Sequence, residues 1–162
     1  MSKKILSVLF VAISIILVLS LIFLPHRVKA ATVINIYPEQ LLQRNRDVNS
    51  LACLIETEAG SDFIPFDDKV KVGLTVLHRC DNPAFPGTVE ENINKPGQYA
   101  EPSTVASEQS VLAAERAMYL WQSGTSYQIL PSEALYFSGD GKRNYFRDAQ
   151  GNIYDEAVGL SI

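Results

Sequence analysis

Residues 48–59, VNSLACLIETEA, and residues 67–80, DDKVKVGLTVLHRC, decide the fold. In the first stretch apolar residues stand at 48, 51, 52, 54, 55 and 59, a spacing that follows the turn of an α-helix rather than the alternation of a strand. The second opens on Asp67 and Asp68 and keeps Val70, Gly73, Leu74 and Leu77 on one stripe, which reads as a second helix with acidic residues in its first turn. Only GSDFIPF lies between them, and two helices on a short connection pack antiparallel. The expectation is a helical hairpin at the centre of the core.

Such a hairpin brings the start of one helix near the end of the other, where the chain's two cysteines, Cys53 and Cys80, stand. Two readings follow. A disulfide between them would close a loop of about 28 residues, worth about 3–4 kcal/mol in the chain-entropy picture; otherwise both are buried thiols. In an oxidising compartment the bond is the expectation.

The compartment is read from the first thirty residues. MSKK is followed by ILSVLFVAISIILVLSLIFL, twenty residues without a charge, and then by Val28-Lys29-Ala30, a small-residue cleavage pattern that marks an export signal. The apolar run at 5–24 also reaches the length that spans a bilayer, so a retained membrane anchor is the second reading of residues 1–30. Both place residues 31–162 outside the cytoplasm, in the periplasm or cell envelope. All 18 acidic residues fall in 31–162 against 10 of the 14 basic ones, a balance of about −8 that repels phosphate backbones; no nucleic-acid partner is expected. The size suits one domain, read as a monomer that meets a membrane only through residues 1–30.

The rest of the chain is mixed. Residues 82–104 are rich in Pro, Gly and Asn and read as a long ordered loop with one helical turn at Val89 to Ile93. SVLAAERAMYLWQSG, 110–124, is a long helix with Val111, Leu112, Ala114, Met118 and Trp121 toward the core and Gly124 as its stop. Tyr136 and Phe137 begin a strand leading into Ser138-Gly139-Asp140-Gly141, with one ring toward a groove and the other toward the core; Tyr136 is the expected groove residue. Ala149-Gln150-Gly151-Asn152 reads as a turn between Tyr145, Phe146 and Ile153, Tyr154. The fold class is α+β, mainly helical with a small β-hairpin or sheet.

Candidate chemistry starts from Glu58. Leu51, Leu54, Ile55 and Glu58 stand at i, i+3, i+4 and i+7, so Glu58 extends the apolar stripe while Glu56 points to the polar side as a spectator. A carboxyl group on a core-facing stripe, at the negative end of the helix dipole, is favoured in its protonated form, the state a general acid requires. Other chemistries lack their residues. His26 lies in the export segment, leaving His78 alone, and there is no HExxH pair, Cys/His cluster, nucleophile elbow or phosphate loop. No metal or cofactor is implied.

Around Glu58 the order of short motifs resembles the spore cortex-lytic (SleB-type) cell wall hydrolase family. The resemblance rests on Glu58-Ala59, on Leu77 and Arg79, on Pro83, Phe85, Pro86, Thr88 and Val89, on Ile93, on Pro96-Gly97-Gln98-Tyr99, and on Pro131 with Ala134-Leu135-Tyr136-Phe137. It spans about residues 50 to 140. Asp62 and His78 stand where the family has Glu and Asn, and a closing His-x-Phe strand is missing. The resemblance implies a lysozyme- or transglycosylase-like catalytic domain over 31–162 that cuts peptidoglycan glycan strands between N-acetylmuramic acid and N-acetylglucosamine. Lytic transglycosylase chemistry then needs one carboxyl group, Glu58, with Gln98, Tyr99 and Tyr136 as substrate-binding residues. Rival readings are a hydrolytic muramidase with a second carboxylate, for which Asp62 is the candidate, and a non-catalytic peptidoglycan-binding envelope protein.

Overall fold

The computed structural model describes residues 38–154. The export segment at 1–30, with the candidate anchor at 5–24, lies outside the described residues. Helix α1, Pro38–Ala59, is followed by α2, Phe66–Asp81, a short α3, Val89–Ile93, and α4, Glu108–Gln122. A 3-10 turn, Ser126–Gln128, leads to strands β1, Tyr136–Gly139, and β2, Asn144–Arg147. The class is mainly helical α+β with one two-stranded antiparallel sheet. Among the described residues no helix is long and apolar enough to cross a membrane.

Helix α1 starts ten residues before the apolar stripe does. Its extension, PEQLLQRNRD, buries little, yet it opens on a proline at the first helical position and is otherwise mostly good helix formers. Val48, Leu51, Ala52, Leu54, Ile55 and Ala59 are all buried, as the periodicity predicts. Helix α2 is the central element and goes further than a stripe. Besides Val70, Val72, Leu74, Val76 and Leu77 it buries Asp68, Lys69, Lys71, Thr75, His78 and Arg79. Gly73 makes the close crossing possible: a Cβ there would meet Ala117 Cβ at 2.9 Å and Ile55 Cδ1 at 3.3 Å, too tight for α1, α2 and α4 to hold their positions.

The N-termini are built as their sequences suggest. Thr88 caps α3 by accepting from Glu91 N, and its hydroxyl donates to the Glu91 carboxylate at 2.8 Å. Ser107 caps α4 by accepting from Ser110 N. On α4 the buried residues Ser110, Ala113, Ala114, Ala117 and Met118 follow i, i+3, i+4, i+7, i+8. Leu112 is off that stripe and 48% exposed, against the expectation that it faces the core. Trp121 packs half-buried on the core while its Nε1 donates to Asp81 Oδ2 at 2.6 Å.

The hairpin pairs Tyr136 with Arg147, Phe137 with Phe146, Ser138 with Tyr145 and Gly139 with Asn144. Asp140 closes it by accepting from the amides of Lys142 and Arg143 at 2.8 and 2.9 Å, with Gly141 at φ +84°. Beyond β2 the predicted turn at 149–152 is present. Asp148 accepts from Gln150 N and Asn152 N at 2.9 Å each, Gly151 takes φ +87°, and Arg147 bridges back to Ile153. Phe146, fully buried, fixes the hairpin to the helices.

The expected disulfide is not formed: Cys53 and Cys80 are both free thiols. The two helices do pack, but α3 rests on both of them and supplies each thiol with other neighbours. Asn92 reaches Cys80 Sγ at 3.5 Å while also donating to Pro86 O and Thr88 O. Ile93 and Asn94 line a separate small cavity beside Cys53. Burial pushes the Cys80 thiol up to about 11, which disfavours the thiolate that disulfide chemistry needs.

Candidate active site

The last turn of α1 is stitched to the segment 100–107 by three consecutive residues. Glu56 Oε2 accepts from Ser107 N at 2.9 Å, Ser107 Oγ at 2.6 Å and Ser110 Oγ at 2.7 Å. Thr57 Oγ1 accepts from Ser103 N at 2.7 Å. Glu58 Oε1 accepts from Ala100 N at 3.0 Å. Glu56 is therefore no spectator: it joins α1 to the first turn of α4. The hydrogen bonds from the Ser107 hydroxyl and amide, with help from Ser110 and Lys69, hold its carboxyl below its ordinary range against the opposing effect of burial.

Glu58 continues the stripe past the fully buried Leu51, Leu54 and Ile55 and emerges half-buried at the mouth of a cleft of about 210 Å³. Glu58, Arg79, Gly97, Gln98, Tyr99, Tyr136, Phe137 and Arg147 line it. All four residues expected from the sequence, Glu58, Gln98, Tyr99 and Tyr136, meet there although 78 positions separate the first from the last. Its Oε2 carries no hydrogen bond among the described residues, so one oxygen of Glu58 is anchored by Ala100 and the other is left to the cleft.

Arg79 organises the walls. Its Nε donates to Leu135 O at 2.7 Å and its Nη1 to the Tyr99 hydroxyl. The guanidinium lies 5.0 Å from the ring centres of Phe85 and Tyr99 and 5.5 Å from that of Tyr136, cation–π distances that hold loop and strand about one buried charge. Burial pushes the Tyr99 phenol up to about 12, outweighing the opposite pull of Arg79. Tyr99 stacks on Phe137 with ring centres 6.1 Å apart, and Tyr136 meets Phe85 edge-on at 6.2 Å. Gln98 is placed by a turn in which its amide donates to Lys95 O at 3.2 Å and Gly97 adopts φ +75°, a conformation that favours glycine.

On β1, Phe137 packs against the core through Phe146 while Tyr136 stays off it, and both residues contribute to the cleft lining. Asp62 is exposed on the connection between α1 and α2 and is not part of the lining. His78 is buried against Ser126 Oγ at 3.1 Å, and burial lowers its pKa despite Asp81 and Glu133. Sequence reasoning left Arg79 and Arg147 without a role and gave Phe137 only a place toward the core. Arg79 and Phe137 occur in the family-like motifs; Arg147 carries no sequence signal, because only strand pairing brings it beside Tyr136.

Among the described residues no group of three or more His, Cys, Asp or Glu side chains is placed to hold a metal ion. The cleft offers one carboxyl group, an amide, aromatic faces with hydroxyl tips and two guanidiniums, a set suited to a hydroxyl-rich chain with apolar ring faces. No protein-family model, curated protein or solved structure matches the chain.

Proposed function

We propose that this protein cleaves the glycan strand of peptidoglycan between N-acetylmuramic acid and N-acetylglucosamine, as an exported lytic transglycosylase of lysozyme-like architecture with Glu58 as its acid/base. The observation that carries the proposal is the convergence of Glu58, Gln98, Tyr99 and Tyr136 on one open cleft. Glu58 is the one carboxylate in the lining, which favours a transglycosylase over a hydrolase needing a second carboxyl group about 5–10 Å away.

In the proposed reaction Glu58 Oε2 donates its proton to the glycosidic oxygen as the C1–O bond breaks. The muramoyl 6-hydroxyl oxygen then bonds to C1, and its proton returns to Glu58. The products are a 1,6-anhydro-muramoyl end and a free 4-hydroxyl on the departing N-acetylglucosamine, with no water consumed. Gln98 would orient an acetamido or hydroxyl group, and Tyr99 and Tyr136 would pack on sugar faces while Arg79 keeps both rings in place.

The test is to incubate the purified protein with sacculi and analyse the soluble products by mass spectrometry, with Glu58→Gln as control. Anhydro-muropeptides released by the wild type and lost in the variant are expected. Reducing ends would instead indicate a hydrolase, and strand binding without release a non-catalytic binder.

A further inference from the structure

The cleft holds two guanidiniums, and they are not equivalent. Arg79 is 4% exposed, its Nε and Nη1 donate to Leu135 O and the Tyr99 hydroxyl, and three rings surround its guanidinium. Arg147 is exposed at the cleft. Its backbone is fixed on both sides: its carbonyl accepts from Leu135 N at 3.1 Å, it pairs with Tyr136 across the sheet, and it bridges to Ile153. Its side chain has no hydrogen bond or ion pair among the described residues. Directly opposed residues of an antiparallel pair project to the same face, so the guanidinium stands beside the Tyr136 ring on the cleft side.

The surroundings make this placement informative. Residues 38–154 carry ten basic against sixteen acidic side chains, so an anion nearing the domain meets overall repulsion. A neutral polysaccharide would gain little from a cation held at its binding cleft. N-acetylmuramic acid differs from N-acetylglucosamine by a lactyl ether that ends in a carboxylate or, when a stem peptide is attached, in an amide followed by the peptide's own carboxylates. Planar guanidinium and planar carboxylate pair in two parallel hydrogen bonds.

We propose that Arg147 is a specificity-determining residue that binds a carboxylate carried by the muramic acid side of the substrate. The inference rests on the peptidoglycan reading and assigns that cleft a preference for anionic over neutral strands. The lactyl and stem-peptide carboxylates share this chemistry and are separated by the test.

Strand binding is measured on the full chain carrying Glu58→Gln, so that turnover does not interfere, and with Arg147→Gln or Arg147→Lys added. The probes are glycan strands stripped of peptides by an amidase, the same strands with carboxyls converted to methylamides, and the corresponding pair with peptides intact. The expected result is about five- to tenfold tighter binding of the carboxylate form than of the methylamide form. That ratio should fall to about one with Arg147→Gln and recover in part with Arg147→Lys. A preference within the stripped pair assigns the lactyl carboxylate, and one confined to the peptide-bearing pair assigns the stem peptide. A ratio near one in both pairs, or one that Arg147→Gln leaves intact, overturns the proposal. Wild-type release of anhydro ends without charge preference would overturn this inference alone. An Arg147-dependent preference without wild-type release would keep it and overturn the catalytic reading.

Discussion

Two carboxylates two residues apart on the last turn of α1 meet opposite surroundings. On the seam between α1 and α4, Glu56 collects three hydrogen bonds on a single oxygen. At the cleft, Glu58 receives one, from Ala100, and opens onto aromatic and cationic walls. The first is held by the serines of a helix–helix seam and so serves the fold; the second lines the cleft, where the proposed chemistry needs it. What separates them is which partners the remote chain brings, since residue type and helix position are nearly shared.

The largest expected effect tests the cleft side. Glu58→Gln keeps the shape and the Ala100 contact but removes the proton, so release of anhydro-muropeptides should fall by about 10²–10⁴-fold, with a denaturant midpoint close to that of the wild type. A large loss of stability with retained activity would reverse the roles assigned to the pair. Next comes the core face of the same turn, where Ile55 faces Gly73. Gly73→Ala gains helix propensity of about 1 kcal/mol but forces a methyl against Ala117 and Ile55, and a net loss of about 1–3 kcal/mol is expected in urea unfolding.

Glu56→Ala should cost about 1–2 kcal/mol in the same measurement, because two serine hydroxyls and the Ser107 amide lose a charged acceptor on a partly solvated seam. The pH dependence has a definite sign. The folded-state pKa of Glu56 lies below its ordinary 4.5, so its contribution is fully present above about 4.5 and is lost as pH falls through the lowered folded value. Acid unfolding followed by circular dichroism should therefore be shallower below pH 4.5 in Glu56→Gln than in the wild type. The smallest effect concerns the cysteines. Thiol titration of the unreduced, denatured protein should count two free thiols, and a reductant should leave the melting temperature unchanged.

How far this could be read in advance depended on the range of the interactions. The helical hairpin was legible because the burial of Leu51, Leu54, Ile55, Leu74 and Leu77 follows a local period. The proposed acid was legible for the same reason, as the next position on that stripe. Glu56 was misread because its partners lie 51 and 54 residues away, and no local pattern announces that the cap of α4 also serves α1. The start of α1 was missed because PEQLLQRNRD has propensity without an apolar face. The disulfide failed because pairing two helices does not reveal which neighbours α3, resting on both, gives each thiol. Arg147 was invisible because its meaning depends on the register that sets it opposite Tyr136.

Trp121 is the chain's single tryptophan, and its indole is tied to Asp81, the last residue of α2. Tryptophan emission therefore watches one joint, where the central helix ends against α4, far along α2 from the Asp67–Asp68 end. A red shift of that emission would register separation of the joint, which stands two residues along α2 from the cleft residue Arg79.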